Sequence, residues 1–237
     1  MSSHSESETL HWTLQSSDPF LPVGGLHLWR IDCHASGDRL RDLWPLLSDR
    51  ERARAEGLRF EHHRTRYLRA HAGLRRILAR YLRIPARSLD FQYGSAGKPY
   101  LPPSLSGSLE FNMTTSADLA LVAVSADSAV GIDCERVRPR RDLIGLTKRM
   151  FGTEEASALA AAPESERLNR FYRDWTDLEA RVKADGRGLF RRRDVPPMPA
   201  LTSGHVIPAN GFIAAVARET LPPVNEWQTL VLPDADG

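Results

Sequence analysis

Cysteine is nearly absent from this chain: Cys33 and Cys134 are the only two among 237 residues. Two thiols make neither the disulfide framework of a small secreted domain nor a thiolate metal site, which points to a reduced compartment. Long apolar runs are missing too. None approaches the roughly 20 residues that span a bilayer, and Met1 to Thr9 is polar, without the basic and apolar regions of a secretory signal. These absences imply a cytoplasmic protein with no membrane partner. Neither sign of charge dominates, since 32 Lys and Arg against 30 Asp and Glu leave a formal +2. That balance accommodates an anionic ligand without demanding nucleic acid. There is no low-complexity linker, and Pro233 to Gly237 reads as a frayed tail. What remains, 41% hydrophobic and 26% charged, suits a soluble globular protein able to bury a sizeable core.

Within that frame two stretches stand out. In Val130-Gly131-Ile132-Asp133-Cys134-Glu135, strict alternation puts Val130, Ile132 and Cys134 on one face of a strand and Gly131, Asp133 and Glu135 on the other. Two residues along a strand span roughly 6.6 Å, so both carboxylates can converge on one hard cation that prefers oxygen ligands. The second stretch, Phe171 to Leu189, has helical period. Phe171, Trp175, Leu178 and Val182 form an apolar stripe, with Glu179 and Lys183 side by side on its edge and Gly186 and Gly188 as stop signals. Taken singly, each feature has a plainer reading: the acids as the wet side of a half-buried strand, and Glu179–Lys183 as a surface pair worth ~0.3 kcal/mol.

Taken together they resemble the two signature motifs of the surfactin-type 4′-phosphopantetheinyl transferases, G-x-D-x-E from Gly131 to Glu135 and W-x-x-x-E-A-x-x-K-x-x-G-x-G from Trp175 to Gly188. Further segments extend the likeness. Leu58-Arg59-Phe60 through Arg66 to Leu74-Arg75 resembles a basic region facing the 3′-phosphate of coenzyme A, which makes Arg59, Arg66 and Arg75 candidates. Gly97-Lys98-Pro99-Tyr100-Leu101 resembles the G-K-P-x-L loop, with Lys98 as a mobile cation. Phe111-Asn112-Met113-Thr114-Thr115-Ser116 resembles F-N-x-S-H-S. There the chain departs, because Thr115 stands in place of a histidine that contacts nucleotide phosphates. A hydroxyl still donates to a phosphate oxygen but without charge assistance, and Thr114 and Ser116 are available to compensate. Leu178 replaces a second usual cation, a lysine.

The resemblance implies an α/β (α+β) fold of two similar halves related by a pseudo-twofold, about 1–120 on the coenzyme A phosphate side and 121–237 carrying the metal and the catalytic helix. It implies transfer of the 4′-phosphopantetheine arm of coenzyme A to a serine of an apo acyl or peptidyl carrier protein, releasing 3′,5′-adenosine bisphosphate. Magnesium would be held by Asp133 and Glu135, with Glu179 completing its shell or accepting the serine proton. Lys183 would meet the phosphate and the leaving group, and the chain would work as a monomer. The two departures keep an alternative in view, a non-catalytic or altered-specificity coenzyme A- or carrier-binding paralogue. A nucleic-acid-binding reading of the arginine-rich helix lacks the aromatic interleaving of a known module.

Local signals complete the expectations. Strands are predicted over Leu26 to Ile31, Leu89 to Tyr93, Gly204 to Ile207, Phe212 to Ala217 and Trp227 to Leu232. Ser48 and Glu51 predict a capping box, and helices are predicted over about Glu61 to Arg83, Leu143 to Met150 and Thr153 to Ala161, the last capped by Thr153. The strand Leu119 to Ser125 is expected to form a hairpin with the acidic strand across the turn at Ala126-Asp127-Ser128.

Overall fold

The computed structural model describes residues 8–34, 40–94, 97–186 and 200–232. Gly188 and Leu189 of the helical motif, and the tail from Pro233, lie outside them. In chain order the strands and helices are β1 (Glu8–Thr9), β2 (Thr13–Leu14), β3 (Leu26–Asp32), α1 (Leu40–Leu43), α2 (Asp49–Glu56), α3 (Glu61–Leu82), β4 (Gln92–Tyr93), β5 (Pro99–Tyr100), α4 (Pro103–Ser106), β6 (Leu109–Ser116) and β7 (Leu119–Ala126). They continue with β8 (Val130–Arg136), α5 (Leu143–Met150), α6 (Thr153–Ala161), α7 (Glu164–Asp185), β9 (Thr202–Ile207), β10 (Phe212–Arg218) and β11 (Gln228–Val231).

The fold is mixed α/β, and the same unit occurs twice. A strand is followed by shorter helices, a 22-residue helix and a hairpin whose last strand returns to pair antiparallel with the first. The first unit runs β3, α2, α3, β6, β7 with pairing order β3-β7-β6, and the second runs β8, α5, α6, α7, β9, β10 with order β8-β10-β9. The terminal strands cross over. β1 adds in parallel to β9 in the second unit's sheet, and β11 adds in parallel to β3 in the first unit's sheet, followed by β2.

Alternation along the strands sorts side chains between separate cores. Trp29 and Ile31 of β3 and Ala120, Val122 and Val124 of β7 pack against Leu74, Ile77 and Leu78 of α3. Each of those three α3 side chains is at most 1% exposed, so each contributes about 1.5–3 kcal/mol of burial. The opposite faces, with Leu26 and Leu28, Leu119 and Leu121, and Val130, Ile132 and Cys134, meet in one core between the two sheets. Ala215 and Ala217 of β10 face Ala180 and Ala184 of α7.

The hairpin expected between β7 and β8 does not form. β7 pairs on both edges within the first sheet, to β3 and β6, while β8 pairs with β10. Asp127, at φ 64°, turns the chain from one sheet to the other. Two further expectations change at element ends. Residues 89–91 are not strand, leaving only Gln92–Tyr93 extended. The cap of α6 is Gly152 at φ 115°, with no side-chain cap from Thr153. The capping box at Ser48 and Glu51 is present with both of its bonds.

Candidate active site

The site lies where the two sheets meet edge to edge, between β6 and β8. No backbone ladder joins these strands; β6 side chains take its place. The amide of Ile132 donates to Asn112 Oδ1 at 3.1 Å and that of Arg136 to Ser116 Oγ at 3.0 Å, so β8 amides on the edge away from β10 find partners. Between them, Thr114 Oγ1 donates to Asp133 Oδ1 at 3.1 Å, and Ser116 Oγ donates to Glu135 Oε2 at 3.1 Å. The alternating Asn112, Thr114 and Ser116 are therefore the seam between the halves.

Gly131 sets how closely α7 approaches. A Cβ at this position would lie 1.9 Å from the carbonyl oxygen of Ala180 and 2.3 Å from the amide nitrogen of Ala184. Only hydrogen fits there. That contact lays the Glu179–Lys183 edge of α7 over the acids. Lys183 Nζ donates to Asp133 Oδ1 at 2.6 Å, lies 3.4 Å from Thr114 Oγ1, and sits 3.7 Å from Glu179 Oε2. The expected stripe is only partly the buried one: Phe171, stacked on Trp175, and Val182 are buried, Trp175 and Leu178 are half-buried, and Tyr172, Thr176, Ala180 and Ala184 complete the face that packs inward.

The electrostatics mark a cluster with more acid than base. Burial, reinforced by the Asp133 charge, raises the carboxyls of both Glu135 and Glu179 above the usual range, against opposing help from Ser116 for Glu135 and from Lys183 for both. Asp133 is 4% exposed, and its Oδ2 is buried without a hydrogen-bond partner. A buried, unpartnered carboxylate oxygen beside two further acids fits a hard divalent cation. As the side chains stand, no three metal-ligating residues among those described are drawn together tightly enough to hold an ion; Lys183 takes Oδ1 of Asp133.

Two cavities flank the cluster. One of about 390 Å³ lies between α3 and β6, with Arg66, His63, His71 and Thr115 on its walls. The other, about 350 Å³, holds Glu135 beside the exposed Arg136, Arg138 and Arg140. Both are also lined by Arg66 and Ala117, which makes Arg66 the link between them. Arg66 Nε is paired with Asp118 at 2.7 Å.

The expected basic residues divide. Arg59 is exposed, its guanidinium 5.4 Å from the centre of the Phe60 ring, and lines neither cavity. Arg75 is 1% exposed, bonded to Glu51 at 2.8 Å and to the Leu89 carbonyl at 2.8 Å, with Phe91 over it. Sealed in this way it supports the fold and does not reach an entering phosphate. Lys98 is likewise no mobile cation. Its ammonium donates to the carbonyls of Lys183 at 2.8 Å and Val130 at 3.2 Å, and burial lowers its pKa. Thr114 bonds to Asp133 and also lines the α3 cavity, beside the exposed Thr115. Sequence reasoning missed His63 and His71 as cavity residues and Asn112 as a seam residue. The alternation of Asn112, Thr114 and Ser116 was the available signal for the latter.

Comparison with known proteins identifies a family. A family model of the 4′-phosphopantetheinyl transferase superfamily matches residues 129–206, which hold β8, α7 and the site acids. The chain is 36% identical over 205 residues to the 4′-phosphopantetheinyl transferase HetI of Nostoc sp. PCC 7120, covering 81% of this chain and 86% of that one. It is 34% identical over 144 residues to a putative 4′-phosphopantetheinyl transferase of Synechocystis sp. PCC 6803, covering 61% and 58% of the two chains. It is 27% identical over 169 residues to the 4′-phosphopantetheinyl transferase psf-1 of Bacillus pumilus, covering 71% and 70%. With the acids, the lysine and the close-packed glycine all assembled at one seam, the chain belongs to the 4′-phosphopantetheinyl transferase superfamily.

Proposed function

We propose that this protein transfers the 4′-phosphopantetheine arm of coenzyme A to a serine of an apo carrier protein. The observation that carries the reading is the meeting of Asp133, Glu135, Glu179 and Lys183 at the β6–β8 seam. An intact cluster of this kind favours turnover over a binding-only role.

The serine oxygen attacks the β-phosphorus of the coenzyme A diphosphate; a new P–O bond forms, and the bond to 3′,5′-adenosine bisphosphate breaks. Glu179 would take the serine proton, a role suited to a carboxyl raised by burial, or complete the shell of the ion. Lys183 lies one turn along α7 and carries positive charge toward the departing phosphate oxygen. Asp133 and Glu135 would hold magnesium, the Asp133 Oδ2 offering the unused ligand atom. When bound, that ion neutralises the diphosphate and polarises its phosphorus. Arg66, on the wall of both cavities, is suited to the nucleotide's anionic groups.

We assign the nucleotide phosphates to the N-terminal half, about 1–120, and the ion and the catalytic helix to 121–237. The presence of both repeated units in one chain supports the surfactin-type subgroup and a monomeric enzyme. No described helix is long and apolar enough to cross a membrane. Incubation with coenzyme A, magnesium and a panel of apo carriers should add one phosphopantetheine arm to a carrier, read by mass spectrometry. Asp133→Asn should lower the rate at least ~100-fold. Absence of any mass gain across the panel would defeat the proposal.

A further inference from the structure

We infer that His71 is a phosphate-binding residue for the donor, positioned by a buried relay through Glu51 and Arg75. The inference rests on the coenzyme A-dependent reading above and adds to it a residue that neither motif contains.

Glu51 is 1% exposed, and its two oxygens are used differently. Oε2 accepts from Arg75 Nε, from the Ser48 amide and from Ser48 Oγ, each at 2.8 Å, while Oε1 meets His71 Nδ1 at 3.3 Å. Burial pushes this carboxyl up, but hydrogen bonds from His71 and Ser48 and the charge of Arg75 outweigh it and hold it at about 2. An ionised carboxylate only accepts, so Nδ1 of His71 carries the hydrogen. The imidazole is also stacked on Tyr67, at 3.9 Å between ring centres and 26° between planes. Fixed on its Nδ1 edge and on one face, the ring is 23% exposed and lines the α3 cavity. Nε2 has no hydrogen-bond partner among the described residues.

A buried ion pair orienting one partly exposed imidazole is an arrangement suited to binding. When Nε2 also carries a hydrogen, it donates to an anionic oxygen. Thr115, on a wall of the same cavity, supplies only a hydroxyl. Arg66 connects this cavity to the cleft at Glu135. A nucleotide laid along that path places a phosphate between His71 and Arg66 while its diphosphate reaches the acids, or places the diphosphate itself there.

Calorimetric titration of coenzyme A and of 3′-dephospho-coenzyme A into the wild type, His71→Gln, His71→Arg and the double variant His71→Gln/Thr115→His tests this. His71→Gln should weaken coenzyme A about tenfold, the loss of one charge-assisted hydrogen bond. His71→Arg should keep most of the affinity, and adding Thr115→His should restore part of it. A loss confined to coenzyme A assigns the contact to the 3′-phosphate, and a loss with both donors assigns it to the diphosphate. Unchanged affinity of His71→Gln for both donors, with an unchanged melting temperature, would overturn the inference while leaving the transferase reading intact. A wild type that binds neither donor would overturn both.

Discussion

Replacing Gly131 by alanine adds one methyl group to the contact that brings helix α7 onto strand β8. The new carbon would start 1.9 Å from the Ala180 oxygen, against the 3.4 Å at which ordinary contact begins, so strand and helix must part by about 1.5 Å. The neighbour is helix backbone and cannot swing aside. A 2.6 Å bond between Lys183 and Asp133 lengthened by that much reaches about 4 Å, outside hydrogen-bond range. Overpacking of this size costs about 1–3 kcal/mol of stability, and an ångström of misplacement at the reacting groups costs on the order of 100-fold in rate. Urea denaturation would read the first effect, and single-turnover transfer to an apo carrier, followed by mass, the second. A Gly131→Ala protein with wild-type turnover and stability within ~0.5 kcal/mol would refute the idea that this contact sets the site.

Two further outcomes follow from named contacts. Lys98→Met should lower kcat about tenfold with the KM for coenzyme A within about twofold, because the ammonium is bonded to the backbone carbonyls of Val130 and Lys183 and so holds the last turn of α7; a raised KM with unchanged kcat would restore the phosphate role. His27 is buried against Tyr81, its pKa lowered by burial from 6.5 to about 4. The unfolded chain therefore takes up a proton that the native ring refuses, and stability falls as pH drops from 6.5 toward 4, by about 2 kcal/mol between pH 7 and 5. His27→Gln keeps an acceptor for Tyr81 and should flatten that part of a stability–pH curve measured by urea titration; an unaltered slope would contradict the assignment.

Much of the second unit is legible in the letters because its elements are long and periodic. Alternation along β8 put Asp133 and Glu135 on one face, and the stripe of α7 put Glu179 and Lys183 on one edge; both hold in the fold. Ranges for α5 and α6 match. What was illegible depends on partners distant in the chain. Nothing local distinguishes Arg75, enclosed by Glu51 and Leu89, from Arg66 on a cavity wall nine residues earlier. Lys98 reads as a loop cation until the end of α7, 85 residues away, is known to lie beside it. The two-residue strands β1 and β2 carry no periodicity, and the choice of β10 over β7 as partner of β8 is a matter of topology.

The crossing of the terminal strands gives the repeat an unequal dependence on its own ends. Gln228–Val231 completes the sheet of the unit that begins two hundred residues earlier, and buried Leu230 packs in that unit's core. A gene split between the repeats would hand each fragment an unclosed sheet edge, so the fragments would complement each other only by trading strands. The two units are clasped by their exchanged ends, and neither closes its sheet without a strand from the far end of the chain.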